Sequence, residues 1–482
     1  MSDGLLVVAP VLVPLVTLAA VLLVPRRVRR AVSLGGHLAF AVVAGALLVA
    51  AGGRGLPPVA FGGWDPPFAI VFSADRLSAV FVMLTALAAL ASAAADRRVP
   101  GREVDPPYAL GHGFVLGACG VFLTGDLFNL YVWLEVVLFA SLGLVAWERT
   151  APALDAALRY LVLNVVGTAV LLAAVASIYA VTGQLNLLAV RAAAAAGDGR
   201  LTAALAVFAA ACLVKAAAFP VFAWLPAAYP ALPAPRAALF AAVGTKLGVY
   251  ALLRVPVTLP GALPPAVGSV LGWVAVTTMI VGVLGAAHHW DIRRILAFHS
   301  VSQVGYMLLG LALGTPAGAH AAIVFALHHG VVKATLFHVA GLVRTAGGSY
   351  DLRRTGGLAS SHPWLAAVFL VQALALVGVP PLSGFWAKLL VLREALAVER
   401  WTWSAVGLGV GLLTLYSMLK IWMEAFWKPH PDDSPTRPRV ALPPWSFAAA
   451  AGLAAIVTAS SLWPEPVLTY VGTAVAAVWE AR

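Results

Sequence analysis

Apolar runs of about twenty residues follow one another along nearly the whole chain, separated by short polar connections. A run of that length is what an α-helix needs to cross about 30 Å of hydrocarbon at about 1.5 Å per residue. Inside a bilayer every backbone N–H and C=O must find a partner within the protein, and a continuous apolar run meets that demand as a helix. The 482 residues are 62% hydrophobic and 11% charged, against about 25% charged in soluble domains. The pattern predicts an all-α polytopic membrane protein. About fourteen transmembrane helices are expected, over roughly 4–25, 31–52, 73–95, 107–124, 126–147, 158–182, 203–226, 236–257, 268–288, 294–313, 319–344, 363–395, 402–426 and 445–464. Ser73 and Asp75 are candidate N-caps of the third. The first run has no small-residue cleavage site and reads as a span rather than a removed leader. The tail after Pro464 reads as a short surface helix.

A net charge of +11 raises the possibility of nucleic-acid binding, but the placement of the charges points to a membrane. Arginines gather in alternate connections: Arg26, Arg27, Arg29 and Arg30; Arg97, Arg98 and Arg102; Arg149; Arg236; Arg293 and Arg294; Arg344, Arg353 and Arg354; Lys428, Arg437 and Arg439. The other connections hold roughly a third as many, which under the positive-inside rule makes the first set cytoplasmic and puts both termini outside. The connections Gly53–Pro67 and Leu185–Arg200 read as simple linkers, and the Pro429–Pro444 segment, with Asp432 and Asp433, as a solvated one. None has room for a soluble catalytic domain. The two cysteines, Cys119 and Cys212, both lie in apolar runs. They do not form a disulfide framework and fall short of the four thiolates an iron–sulfur cluster needs.

Against this apolar background, a few ionisable residues sit at mid-depth. The stretch LVKAAAFPVFAWLPAAYPALPAP, 213–235, places Lys215 inside a span and breaks it at Pro220. A lysine at the bilayer centre costs at least about 2.5–3.5 kcal/mol, and a proline removes a backbone donor where lipid offers no substitute. Glu135 lies nine residues after Asp126, about 14 Å into its helix. Lys246 and Lys333 are equally central, and Lys388 follows a second break at Pro380–Pro381. Lys420 lies near a helix end and reads as a snorkelling residue. Histidines add a second set. His328 and His329 precede Lys333 by about a turn, near its face, and His338 follows. His299 sits with Ser300, Ser302 and Gln303 in RRILAFHSVSQVGYM, a polar patch suited to holding water or to bonding neighbouring helices. Imidazole exchanges protons near neutral pH, so it can relay them between lysines. Haem ligation would leave the lysines without a role. Intramembrane ionisable residues mark ion or proton pathways by default.

Five segments in order, DLFNLYVWLEV, LVKAAAFPVFAWLPAAYPALPAP, RRILAFHSVSQVGYM, HHGVVKATLFHVAGL and PPLSGFWAKLLVL, resemble the antiporter-like subunits shared by Mrp-type sodium/proton antiporters, respiratory complex I and membrane-bound hydrogenases. The likeness is nearest to the D-type branch of the Mrp antiporter subunits. It implies two inverted five-helix repeats, about 107–257 and 268–426, each with one proline-broken helix, between an N-terminal segment, about 1–106, and a C-terminal helix and tail, about 427–482. It further implies that Glu135, Lys215, Lys246, His329, Lys333 and Lys388 carry protons, with His328, His299, Ser302, Gln303 and His338 beside the path. The helix breaks would then lie at Pro220, Pro380 and Pro381. Small hydrophobic membrane subunits are the implied partners. No cofactor and no metal is implied. The runner-up implication is a proton-pumping subunit of an NADH- or ferredoxin-driven redox complex, itself without redox chemistry, since neither a dinucleotide fingerprint nor a cysteine cluster occurs.

Overall fold

The computed structural model describes residues 2–64, 68–96, 107–194, 198–258, 264–431 and 440–480. Arg97, Arg98, Arg102, Asp432, Asp433, Arg437 and Arg439 lie outside the described residues. The N-terminal part comprises α1 (Asp3–Leu23), α2 (Arg29–Gly53) and α3 (Arg76–Ala95). Then come α4 (Tyr108–Leu123), α5 (Leu127–Ala146), α6 (Ala151–Thr182), α7 (Leu187–Ala194), α8 (Gly199–Ala216), α9 (Trp224–Ala231) and α10 (Ala234–Thr258). A second series follows: α11 (Pro265–His288), α12 (Ile292–Ala312), α13 (Pro316–Gly347), α14 (Leu358–Ser361), α15 (Pro363–Val377), α16 (Ser383–Ala397) and α17 (Trp401–Ile421), the last extended by a π-helical turn, Trp422–Trp427. The chain closes with α18 (Pro444–Leu462) and α19 (Glu465–Glu480). Among the described residues, twelve helices are long and apolar enough to cross a membrane, and two shorter apolar ones, Tyr108–Leu123 and Pro363–Val377, accompany them.

Local sequence sets where these helices begin. Asp75 accepts from the Ser78 backbone N–H at 2.8 Å in a capping box, Asp126 from Asn129 at 2.7 Å, and Thr315 from Gly318 at 2.9 Å, each satisfying a donor the first turn leaves open. Ser73, the other expected cap, instead gives its N–H to the Leu123 carbonyl. Two connections hold more structure than a linker. Val59–Ala60 pairs antiparallel with Val71–Phe72, and α7 lies within the 185–200 stretch, anchored where Asn186 bridges Asp126. The tail helix α19 buries Val471, Ala474 and Val475, and Tyr470 donates to the Leu48 carbonyl at 3.0 Å.

Contacts between helix ends sort the connections onto two faces. Arg236 pairs with Asp96 and Glu148, Arg30 reaches the Ala94 carbonyl, and Asp291 bridges Asp351, so the arginine-rich ends share one face. Asp3 with Arg54 and Asp75 with Arg254 lie at the other. Three helices are set apart by their burial. In their most apolar windows α10 is 94% buried, α12 89% and α13 83%, against 28% for α2. The interior of the bundle is therefore built from the helices that bear Lys246, His299, His328, His329 and Lys333.

Candidate proton-transfer site

The first broken helix ends one residue after Ala216, where Ala217 adopts a left-handed conformation with φ of 59°. The peptide bond before Pro220 is cis. Breaking a helix inside a membrane leaves backbone groups in need of partners, and side chains reach two of the backbone groups here. Trp224 Nε1 donates to the Val214 carbonyl at 2.9 Å, and the Phe219 N–H donates to Thr278 Oγ1 of α11 at 3.0 Å. Lys215 is the penultimate residue of α8 and is buried. Its ammonium has no hydrogen-bond partner among the described residues. It borders a cavity of about 20 Å³ with Ser141, Tyr160, Asn164, Trp224 and Phe240, enough for about one water. Glu135, on α5, interacts electrostatically with Lys215 but makes no ion pair with it, and its Oε1 is buried without a hydrogen-bond partner. Gly248 of α10 packs directly on this end of α8: a Cβ there would sit 2.4 Å from the Ala216 nitrogen.

The densest part of the site lies between α10, α12 and α13. Lys246 Nζ donates to the Ala241 carbonyl at 2.6 Å and meets His329 Nδ1 at 2.7 Å. With Lys246 as donor, His329 carries its proton on Nε2, and that nitrogen has no protein partner. Lys333 donates to the Leu296 carbonyl at 2.8 Å. Both lysines are fully buried at 0% exposure. A buried ammonium held by carbonyls and an imidazole, with no carboxylate beside it, is poised to exchange a proton when nearby charge changes.

His328 and His329, expected near one face, diverge. Consecutive helical residues point about 100° apart, so His329 meets Lys246 while His328 Nδ1 meets Ser383 Oγ of α16 at 2.8 Å. The Ser383 N–H in turn donates to Ser461 Oγ at 2.7 Å. The second break begins at Gly378, with φ of 93°, and continues through the cis Pro380–Pro381 bond. Here the lysine itself caps the break: Lys388 Nζ donates to the Val377 carbonyl at 2.7 Å and sits 5.2 Å from the Tyr306 ring centre. A cation at a helix C-terminus is favourably placed. His299 Nε2 contacts Ser417 Oγ at 2.7 Å, leaving Nδ1 unpartnered. Ser302 donates to the Met279 carbonyl at 3.0 Å, the helix-bonding role. Both amide atoms of Gln303, and Nε2 of His338, are buried without partners, as is the amide of Gln372. Such groups ask for water.

Electrostatic interactions link Lys333 with Lys246, His299 with Lys333 and Lys388, and His328 with Lys246 and Lys388. The second half is thus a connected network. Lys246 gives its hydrogen bonds to Ala241 and His329, and none joins it to Lys215. At the arginine-rich face, a vestibule of about 370 Å³ bordered by Asp155, Arg159, Pro226, Asp291, Arg293 and Arg294 reaches Ala156 and Ala223, neighbours of the Tyr160–Trp224 pair whose ring centres are 5.3 Å apart. A cavity of about 160 Å³ opens beside His328 and Ser383. Among the described residues no group of His, Cys, Asp or Glu has the arrangement of a metal site. Lys420, read as snorkelling, instead donates to the Ala287 and His289 carbonyls at 2.7 and 2.6 Å and caps α11. Trp224, Tyr306, Gly248 and Gln372 also belong to the site's construction. The WLP after the proline was a visible signal for Trp224; the other three carry no local mark.

The profile of the family described as NADH:quinone oxidoreductase/Mrp antiporter, transmembrane, matches residues 124–414. The D-type subunit of the Na(+)/H(+) antiporter of Alkalihalophilus pseudofirmus is 37% identical over 428 residues, 88% of this chain and 87% of that one. The fold superposes on a chain of the Mrp complex from a Dietzia species with a TM-score of 0.89 and 30% identity, covering 100% of this chain and 98% of that one. For a chain of respiratory complex I from Thermus thermophilus the TM-score is 0.79 at 28% identity, covering 95% and 98%. On residues matched and identity alike, the chain belongs to the NADH:quinone oxidoreductase/Mrp antiporter family of membrane subunits.

Proposed function

We propose that the chain is the proton-translocating subunit of a multisubunit monovalent cation (sodium)/proton antiporter, working with other membrane subunits in a bacterial cell membrane. The observation that carries this reading is the 2.7 Å contact of Lys246 with His329, beside a second fully buried lysine, Lys333. The antiporter relatives support the sodium/proton assignment. In this reading Glu135 holds Lys215 charged in one state. When an arriving ion or the charge of a neighbouring protein pulls Glu135 away, Lys215 releases its proton. The proton passes through Lys246 and His329 to Lys333 and leaves by Lys388, with His299, His328 and His338 exchanging with water beside the path. Ser302 and Gln303 help hold that water. The breaks at Pro220 and Pro380–Pro381 let the two lysine-bearing ends shift. Fourteen spans, two inverted repeats over 107–257 and 268–426, and both termini outside complete the arrangement.

The test is sodium-dependent pH change in everted vesicles carrying the whole gene cluster. Glu135→Ala and Lys215→Ala are expected to abolish transport while the complex still assembles; near-normal sodium efflux in either would count against the scheme. The second reading is the proton-pumping membrane subunit of an NADH-quinone oxidoreductase or hydrogenase complex, favoured by the likeness to complex I. Copurification separates them: small hydrophobic subunits without cofactors accompany an antiporter, iron–sulfur and flavin subunits a redox pump.

A further inference from the structure

A second titratable cluster lies outside the row of lysines, in the N-terminal helices. His37 of α2 and His112 of α4 stack with ring centres 4.0 Å apart and planes 13° apart. Ser33, one turn before His37, contacts His112 Nε2 at 3.1 Å. Both imidazoles are buried, and His37 Nδ1 has no partner. Nothing in the lysine network uses them. Two positive charges that close repel strongly at low dielectric, so the pair holds one proton at a time.

His37 and Ser33 border a cavity of about 30 Å³ whose outer end carries Asp96, Tyr108 and Arg236 at the arginine-rich face. Its inner end is Phe240. Phe240 also borders the cavity at Lys215. The same three helices line both spaces on successive turns: α4 through Tyr108 and Gly111, then Phe114; α5 through Leu144, then Ser141 and Leu138; α10 through Arg236 and Leu239, then Gly244 and Leu247. Phe240, shared by both linings, stacks on Phe114 with ring centres 4.8 Å apart, so this stack stands between them. From Arg236 to Gly244 the helix rises about 12 Å.

We propose that the stacked His37–His112 pair is a proton-loading site, and that the cavity beside it, closed by Phe114 and Phe240, is an inlet through which protons reach Lys215. This rests on the antiporter reading above. A neutral imidazole of the pair takes a proton from the aqueous face. The imidazolium then gives it to cavity water, and the resulting hydronium gives it to the unprotonated amine of Lys215 when the Phe240 ring swings aside, restoring neutral imidazole and water. The titratable and charged groups around the pair are Asp96 at the end of α3, Tyr108 on α4 and Arg236 on α10, which border the same cavity as His37, and Arg30 on α2 and Glu148 after α5, which interact with Asp96; Arg236 is held by Asp96 at 3.3 Å and by Glu148 at 3.6 Å. α1, packed against both helices, brings only Thr17, bonded to its own Val13 carbonyl. The Asp96 and Glu148 carboxylates keep Arg236 in place at the mouth and offset its repulsion of an incoming proton.

The test uses everted vesicles with the whole complex, reading sodium-dependent proton movement across a pH series. His37→Gln, His112→Gln and Phe240→Trp are each expected to slow transport roughly tenfold, less than the ~10²–10⁴ of a sole proton-transfer group, because the vestibule at Arg293 remains a second approach. His37→Gln also changes the shape of the pH profile, which a packing role would not do. The double variant His37→Gln, Phe240→Trp is expected to be no slower than either single one, as for two steps of one route. Wild-type rates and profiles in assembled His37→Gln and His112→Gln, with Lys215→Ala inactive, would overturn the inlet and leave the antiporter reading standing. An active Lys215→Ala would instead sink that reading. If the histidine variants do not assemble, Phe240→Trp decides alone: unchanged transport overturns the proposal.

Discussion

Gly248→Ala is the sharpest perturbation the site offers, because it moves Lys215 without changing any charge. The added Cβ would lie 2.4 Å from the Ala216 nitrogen, 2.6 Å from the Cys212 oxygen and 2.8 Å from the Lys215 carbonyl carbon. All three are backbone atoms, so no rotamer change relieves them. Restoring an ordinary contact of 3.4 Å requires α8 and α10 to part by about 1 Å. Overpacking of this kind costs about 1–3 kcal/mol, and a displacement of about 1 Å at a reacting group lowers rates by about 10²-fold. Sodium-dependent proton movement in everted vesicles is therefore expected to fall about a hundredfold, with the complex still recovered intact by affinity purification. Gly45→Ala on α2, where a Cβ meets nothing within 4 Å, is the control and is expected to transport normally. An assembled Gly248→Ala complex that transports at the wild-type rate would refute the claim that this contact fixes the position of Lys215.

Three further outcomes are expected. Trp224→Phe keeps an aromatic ring but removes the indole donor to the Val214 carbonyl, which retains the Ala217 N–H at 3.1 Å; the loss of that one hydrogen bond costs about 0.5–1.5 kcal/mol and should lower the thermal midpoint of the solubilised complex. His329→Phe removes the Nδ1 partner of Lys246 and is expected to stop transport, whereas His328→Phe, which breaks only the contact with Ser383, slows it; equal effects of the two would contradict the divergence of their faces. Asp75 gives a pH signature. Burial pushes its carboxyl up, but the charge of the Arg254 guanidinium beside it, with hydrogen bonds from Arg254 and Ser78, brings it below the ordinary value. A carboxyl depressed in the folded state contributes stability above about pH 4 that is lost as pH falls through the folded value. Asp75→Asn is thus expected to melt below wild type at pH 6, with the difference shrinking as pH falls below about 4 and closing only below the depressed folded value.

What the sequence made legible was what depends on cost. A lysine or glutamate in an apolar run is expensive wherever the helix turns, so Glu135, Lys215, Lys246, Lys333 and Lys388 could be picked out one by one. The helix cap at Asp75 was legible for a local reason of its own. Direction was harder to read. The pair His328–His329 looks like one patch along the chain, yet each ring meets a different helix. For Ser302 the chain left two roles open, holding water or bonding a neighbouring helix, and only the fold shows its bond to the Met279 carbonyl of α11. His37 and His112 gave no signal, because a single histidine in a span is ordinary and the two are 75 residues apart in sequence, with the whole of α3 between them.

The two broken helices solve one problem in opposite ways. Each has a carbonyl near its break that takes a side-chain donor: Val214 in the first, which also accepts the Ala217 N–H at 3.1 Å, and Val377 in the second. In the second the lysine answers, with Lys388 Nζ on the Val377 carbonyl, so its ammonium is tied to the C-terminus of α15 and to the ring of Tyr306. In the first the indole of Trp224 answers, and Lys215 has no hydrogen bond among the described residues. A tied ammonium responds weakly to a distant charge, because moving it forfeits a bond to a helix end. An untied one, beside a cavity that holds about one water and with Glu135 as its electrostatic partner, responds to any change in that partner. Under the proposed mechanism, the asymmetry would make the first break the place where an outside event is felt and the second the place where charge is held until release. Trp224→Phe tests the division: if the Val214 carbonyl then recruits Lys215, transport should fail although no titratable group has been touched, and a transport rate equal to wild type in an assembled complex would argue that the indole is only filling space.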